Sequence, residues 1–137
     1  MGGMKLKGRR ITKGKAKGIA LVSRRPLSFL GGIDPKTGII TDVESDIRGE
    51  SVKDKILVFP RGKGSTVGSY IIYQLKKNNV APKAIVVEDA ETIVATGAII
   101  AEIPMVDRID IRKIKNGQII EVDADRGEII IHEEEGI

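Results

Sequence analysis

Two short runs without a polar residue, Ile56-Leu57-Val58-Phe59 and Ala84-Ile85-Val86-Val87, constrain the fold of this chain more than any other feature. A strand covered on one face alternates apolar and polar residues, whereas an uninterrupted apolar run suits a strand covered on both faces. Such strands belong to sheets that carry helices, and helical patterns lie where that demands. Residues 65–77 place Val67, Ile71, Ile72 and Leu75 on one face, with Lys76 and Lys77 at the C-terminal end, where cations suit the helix dipole. Thr92 to Glu102 reads as a short helix rich in alanine and isoleucine, and Pro104-Met105-Val106 as a third strand. This strand–helix–strand–helix–strand order predicts right-handed crossovers and a small, largely parallel sheet.

The ends of the chain read differently. Gly18 to Val22 is a short buried strand, Ile39-Ile40-Thr41-Asp42 another, and residues 118–123 and 128–132 form a hairpin around Asp125-Arg126-Gly127. Between them Gly31-Gly32-Ile33-Asp34-Pro35-Lys36-Thr37-Gly38 is dense in turn formers and reads as a loop, as does Asp46 to Ser51. The expected class is a mixed, barrel-like α/β domain with flanking helices and β-rich ends. At 137 residues one domain can bury an adequate core, built from Ile, Val, Leu and Ala because the sequence has two Tyr, two Phe and no Trp.

Several function classes are excluded or weakened. The chain has no cysteine, so it alone holds no disulfide, cysteine nucleophile, iron–sulfur cluster or cysteine-bound zinc. A single His speaks against a self-contained metal centre. No signal peptide and no membrane-length apolar run is present, so the expected location is the cytoplasm. The net charge is +4, and Lys5, Lys7, Arg9, Arg10, Lys13, Lys15, Lys17, Arg24 and Arg25 crowd the first 25 residues. A nucleic-acid arm is one reading, but no aromatic is interleaved for base stacking. A solvated face, or one that attracts a phosphorylated substrate, fits as well.

The strongest local signal for chemistry is Arg61-Gly62-Lys63-Gly64-Ser65-Thr66, between a buried strand and a helix. Such a junction aims backbone N–H groups and the positive end of a helix dipole at the space before it. A phosphate-binding loop fails, because Leu57 holds the required glycine position and Gly64 separates Lys63 from Ser65. The turn can instead present Ser65, whose alkoxide would gain from the N–H groups of Thr66 and Val67 and from Arg61 and Lys63. Serine is also a preferred helix cap, which is the commoner use of a serine at such a place. Ser69, one turn further on, suits packing or back-bonding. Glu88, Asp89 and Glu91 follow a buried strand, at an end where open α/β sheets bind ligands, although solvated carboxylates are commoner there; His132 reads as solvated.

Taken together and in order, residues 27–38 (Leu-Ser-Phe-Leu-Gly-Gly-Ile-Asp-Pro-Lys-Thr-Gly) and 62–69 (Gly-Lys-Gly-Ser-Thr-Val-Gly-Ser) resemble the small-subunit pattern of the aconitase X family. The resemblance runs from about Lys5 to Ile131. It implies a single swivel-like domain over residues 1–137, with flexible ends at 1–4 and 133–137. It further implies a heterodimer with a large subunit that carries a four-iron four-sulfur cluster, none being bound by this chain. The family's proton acceptor is the serine that stands here as Ser65. Its partner iron acts on the leaving hydroxyl of a hydroxy acid. Gly31, Gly32, Asp34, Arg61, Lys63, Gly64 and Thr66 become candidate substrate contacts, with no metal ligand among them. The archaeal two-subunit branch dehydrates (R)-5-phosphomevalonate, a phosphorylated hydroxy acid, to trans-anhydromevalonate 5-phosphate in a modified mevalonate pathway. Hydroxyproline dehydratases of the family often carry His-His-Pro and Gly-Ser-Cys. Glu44-Ser45-Asp46 and Gly64-Ser65-Thr66 stand here instead and favour the mevalonate branch. On this resemblance neither nucleic acid nor membrane is an expected partner.

Overall fold

A computed structural model describes residues 3–132. The two apolar runs are strands β5 (Ile56–Phe59) and β7 (Ala84–Val87), and every residue in both is buried. Their side chains alternate between two separate cores. Leu57, Phe59, Ile85 and Val87 enter one, while Ile56, Val58, Ala84 and Val86 enter the other. That dual burial is why the runs lack polar residues.

The remaining strands in chain order are β1 (Met4–Lys7), β2 (Arg9–Thr12), β3 (Lys15–Val22), β4 (Leu27–Ser28), β6 (Gly62–Lys63), β8 (Met105–Asp107), β9 (Ile119–Asp123) and β10 (Glu128–His132). Eight of the ten strands form one mixed sheet, ordered β1-β10-β9-β3-β5-β7-β8-β2. Its centre, β3-β5-β7-β8, is parallel, and the outer pairings are antiparallel. Helices α1 (Gly68–Lys77) and α2 (Thr92–Ala101) provide the crossovers.

β1 and β2 lie at opposite edges of the sheet, yet only Gly8 separates them in the chain. The edges therefore meet, and the sheet closes on itself like a barrel. Gly8 donates its N–H to the Gly127 carbonyl at 2.7 Å, and a Cβ there would stand 2.2 Å from the Asp107 carbonyl oxygen. Inside the closure sit Val22, Val58, Val86, Val106, Ile120, Val122 and Ile129; the helices cover the other core.

Three expectations shift. The sheet is larger than the sequence suggested, because β1, β2 and the first half of β3 are rich in basic residues and read as solvated. Their charges are matched across the ladder, where Lys5 and Lys7 each stand 3.7 Å from Glu128, and Arg9 makes a bidentate pair with buried Asp107. Residues 39–42 form no strand; Ile40 is buried, and the segment is held by the isolated bridges Ile33–Ile40 and Ile39–Ser51 and by backbone hydrogen bonds to Gly32, Gly49 and Glu50. Met4 opens β1, while the expectation of flexible ends at 1–2 and 133–137 lies outside the described residues. No helix among the described residues is long and apolar enough to cross a membrane.

Candidate functional site

The two motif loops meet through a small parallel ladder outside the main sheet. β4 pairs with β6, Leu27 opposite Gly62 and Ser28 opposite Lys63, and the Leu27 N–H donates to the Arg61 carbonyl at 3.0 Å. Gly31-Gly32 and Gly64-Ser65 therefore leave neighbouring strands at the same end. Gly64 has φ +97°, and a Cβ there would meet Ser28 Oγ at 3.1 Å. A Cβ on Gly32 would stand 2.0 Å from the Ser28 carbonyl oxygen. Both positions require glycine, one for its backbone angle and the other for close approach.

Ser65 is exposed, and its Oγ accepts the Val67 N–H at 3.2 Å. The Gly68 N–H donates to the Ser65 carbonyl at 3.0 Å, so residues 65–68 form a tight turn leading into α1. The helix begins at Gly68, three residues later than the sequence pattern suggests. Val67 occupies the N-cap position without a side-chain cap, and the first turn holds no acidic residue. Ser65 is thus no helix cap. Its hydroxyl precedes the N-terminal end of α1 and accepts a local N–H. Ser69 Oγ donates to the Thr66 carbonyl at 3.0 Å, the back-bonding role expected for it.

Arg61, Lys63 and Thr66 are exposed around the turn, and Gly31 has φ +81° with open space where a Cβ would be. The structure therefore brings together Ser65, Arg61, Lys63, Gly64, Thr66, Gly31 and Gly32. It does not bring Asp34 there. Asp34 Oδ1 accepts the Lys36 N–H at 2.9 Å within its own turn, and the neighbouring Pro35 carbonyl accepts from Asn78 Nδ2 at 2.8 Å. Asn78 caps the C-terminal end of α1, about 15 Å from the Ser65 end at the usual helical rise.

Two residues that sequence reasoning passed over support the turn. Glu91, expected to be solvated, accepts the N–H groups of Ile93 and Val94 at 2.8 Å each and so caps α2. The same carboxylate lies beneath Gly62, where a Cβ would stand 2.6 Å from Oε1. Glutamate is not a favoured cap, so nothing in the sequence marked it. Ser28 Oγ donates to the Leu30 carbonyl at 3.1 Å and fixes the start of the Gly31-Gly32 loop. The Pro60 carbonyl accepts N–H groups from both Glu88 and Asp89 at 3.1 Å, which ties the end of β5 to the same support. His132, also expected to be solvated, pairs with Glu121 across β9 and β10.

A closed mixed sheet with two crossover helices, presenting a serine turn beside a double-glycine loop, defines an α/β domain of the aconitase swivel type. The family model described as the aconitase X swivel domain matches residues 5–131, and the chain belongs to that family. The phosphomevalonate dehydratase small subunit of Thermococcus sibiricus is 80% identical over 130 residues, covering 95% of this chain and 100% of that protein. The phosphomevalonate dehydratase small subunit of Pyrococcus furiosus is 66% identical over 128 residues, covering 93% and 96%. The crystal structure of Thermococcus kodakaraensis aconitase X in its holo-form matches with TM-score 0.95 and 70% identity, over 96% of this chain and 100% of that one.

Proposed function

We propose that this chain is the small subunit of a phosphomevalonate dehydratase, a hydro-lyase, and that Ser65 is its proton acceptor. The full-length likeness to small subunits of that name carries the reading. The reaction converts (R)-5-phosphomevalonate to trans-anhydromevalonate 5-phosphate. A proton leaves the carbon next to the carboxylate, hydroxide leaves the adjacent carbon, and the electron pair of the broken C–H bond becomes the double bond.

This chain's share of that chemistry is proton transfer and anion binding. The Ser65 alkoxide takes the proton, held by the Val67 N–H and the positive end of α1. Arg61 and Lys63 flank it and suit the substrate's carboxylate or phosphate. Gly31, Gly32 and Gly64 allow close approach of the substrate to backbone, and Thr66 adds a hydroxyl on the same turn.

The chain does not fit an iron–sulfur cluster. It has no cysteine, and among the described residues no group of three or more His, Asp or Glu could hold a metal ion. We place the four-iron four-sulfur cluster on a large subunit that pairs with this chain as a heterodimer in the cytoplasm, with residues 1–137 acting as one swivel-like unit.

The test is reconstitution. The chain mixed with its large subunit should form the unsaturated product from (R)-5-phosphomevalonate, while either chain alone should not. A reconstituted complex that binds this substrate without dehydrating it would overturn the assignment.

A further inference from the structure

We infer that the outward faces of α1 and α2 form the docking surface for the large subunit; the inference rests on the two-subunit reading above. The chain is 31% charged, yet no charged residue stands between Lys63 and Lys76 or between Glu91 and Glu102. Those two stretches include every outward position of both helices up to the last turn of α1. Val67, Tyr70, Ile99 and Ile100 are exposed by 47%, 57%, 59% and 54%. Tyr70 stacks on Tyr73 with ring centroids 6.2 Å apart, and the pair forms a shallow notch with Ser69 and Ile100.

A surface helix normally turns a charged face to water, whereas one that is apolar all round is a covered helix. α2 comes close to that, with no charged residue and only Thr92 and Thr96 polar: Val94, Ala98 and Ala101 face the core, and Ile99 and Ile100 face outward. Loss of charge with a cluster of tyrosine and isoleucine is the composition of an interface core.

The occupant follows from where this surface begins. It starts at the Ser65 turn itself, since Thr66 and Val67 are its first exposed residues. A chain that covers the Ser65 turn would lie next to Val67 and Tyr70, the exposed apolar residues that follow it directly in the chain. A second copy of this chain would bring no metal ligands of its own, since the sequence has no cysteine and the described residues hold no group of three or more His, Asp or Glu fit for a metal. A large subunit that supplies those ligands and covers the patch meets both needs.

The test compares Tyr70→Glu and Ile100→Glu, singly and together, with a control, Val43→Glu, at an exposed apolar residue outside the helices. Titration calorimetry of the full chain against the large subunit should show at least ~30-fold weaker binding for each helix variant, the loss typical of an interface hot spot. The control should bind like wild type, and circular dichroism should show all variants folded. Unchanged binding of the double variant would overturn the inference. So would sedimentation showing that the wild-type chain alone dimerises and that the double variant abolishes the dimer. Should a helix variant prove unfolded, Tyr70→Ser and Ile100→Ser replace it, with the same outcomes deciding. Binding is read separately from turnover. A Ser65→Ala chain that assembles but is inactive keeps the functional reading whatever the patch variants do.

Discussion

Gly62→Ala probes the support beneath the serine turn. A Cβ at Gly62 would lie 2.5 Å from Val94 Cγ2 and 2.6 Å from Glu91 Oε1, both well inside contact distance. Val94 is buried and cannot swing away. The Glu91 carboxylate must then move, and it holds two N–H groups of α2 at 2.8 Å. Losing a helix cap costs about 0.5–2 kcal/mol, and forcing a methyl into a packed site about 1–3 kcal/mol. Gly62→Ala should therefore destabilise the chain by about 2–4 kcal/mol. In a Glu91→Ala background the cap is already gone and the oxygen clash is absent, so the same substitution should cost about 1–2 kcal/mol less. Guanidinium unfolding of the four chains, with unchanged slope and shifted midpoints, measures this coupling. Additivity of the two substitutions within about 0.5 kcal/mol would refute the account of how the turn is held.

Other perturbations follow from the same structure. Phe59 packs edge-on against Phe29 with ring centroids 5.9 Å apart, and both are fully buried, so Phe59→Ala should lower stability by about 3–5 kcal/mol in equilibrium unfolding. Hydrogen bonding from Arg112 holds the Asp110 carboxyl below its ordinary pKa of 3.8. Because the folded-state value is the lower one, the resulting stabilisation is present above about pH 4 and is lost as pH falls through the folded-state value. Unfolding midpoints of wild type and Asp110→Asn should differ by a constant small amount above that pH and converge below it; a gap that widens on acidification would contradict the pairing.

The centre of the fold was legible because β5 and β7 are buried on two faces, and that burial leaves no room for polar residues. The edges were not. In Lys5-Leu6-Lys7 the apolar residue alone marks the sheet, and the flanking lysines are neutralised by Glu128, more than 120 residues away in the chain. Residues 39–42 resemble a strand because Ile40 fills the core, but the left-handed φ of +76° at Gly38 turns the chain just before them and only isolated bridges form. The motifs singled out Ser65 and the glycine loops, which the β4–β6 ladder brings to one end of the fold. Asp34 stands apart from them, with its side chain in its own turn. The helix start was also read three residues early, because Ser65 bonds to Val67 in a turn that imitates a cap. Glu91 stayed hidden because glutamate is not a favoured cap and because only the folded chain brings its carboxylate beneath Gly62.

Turnover of (R)-5-phosphomevalonate by the reconstituted complex carrying Ser65→Ala tests the central claim most directly. The account predicts a fall of at least ~10²-fold, the usual contribution of a positioned base, with assembly and unfolding midpoint unchanged. Turnover within a few-fold of wild type would contradict it, and the proton would then have to leave through another group.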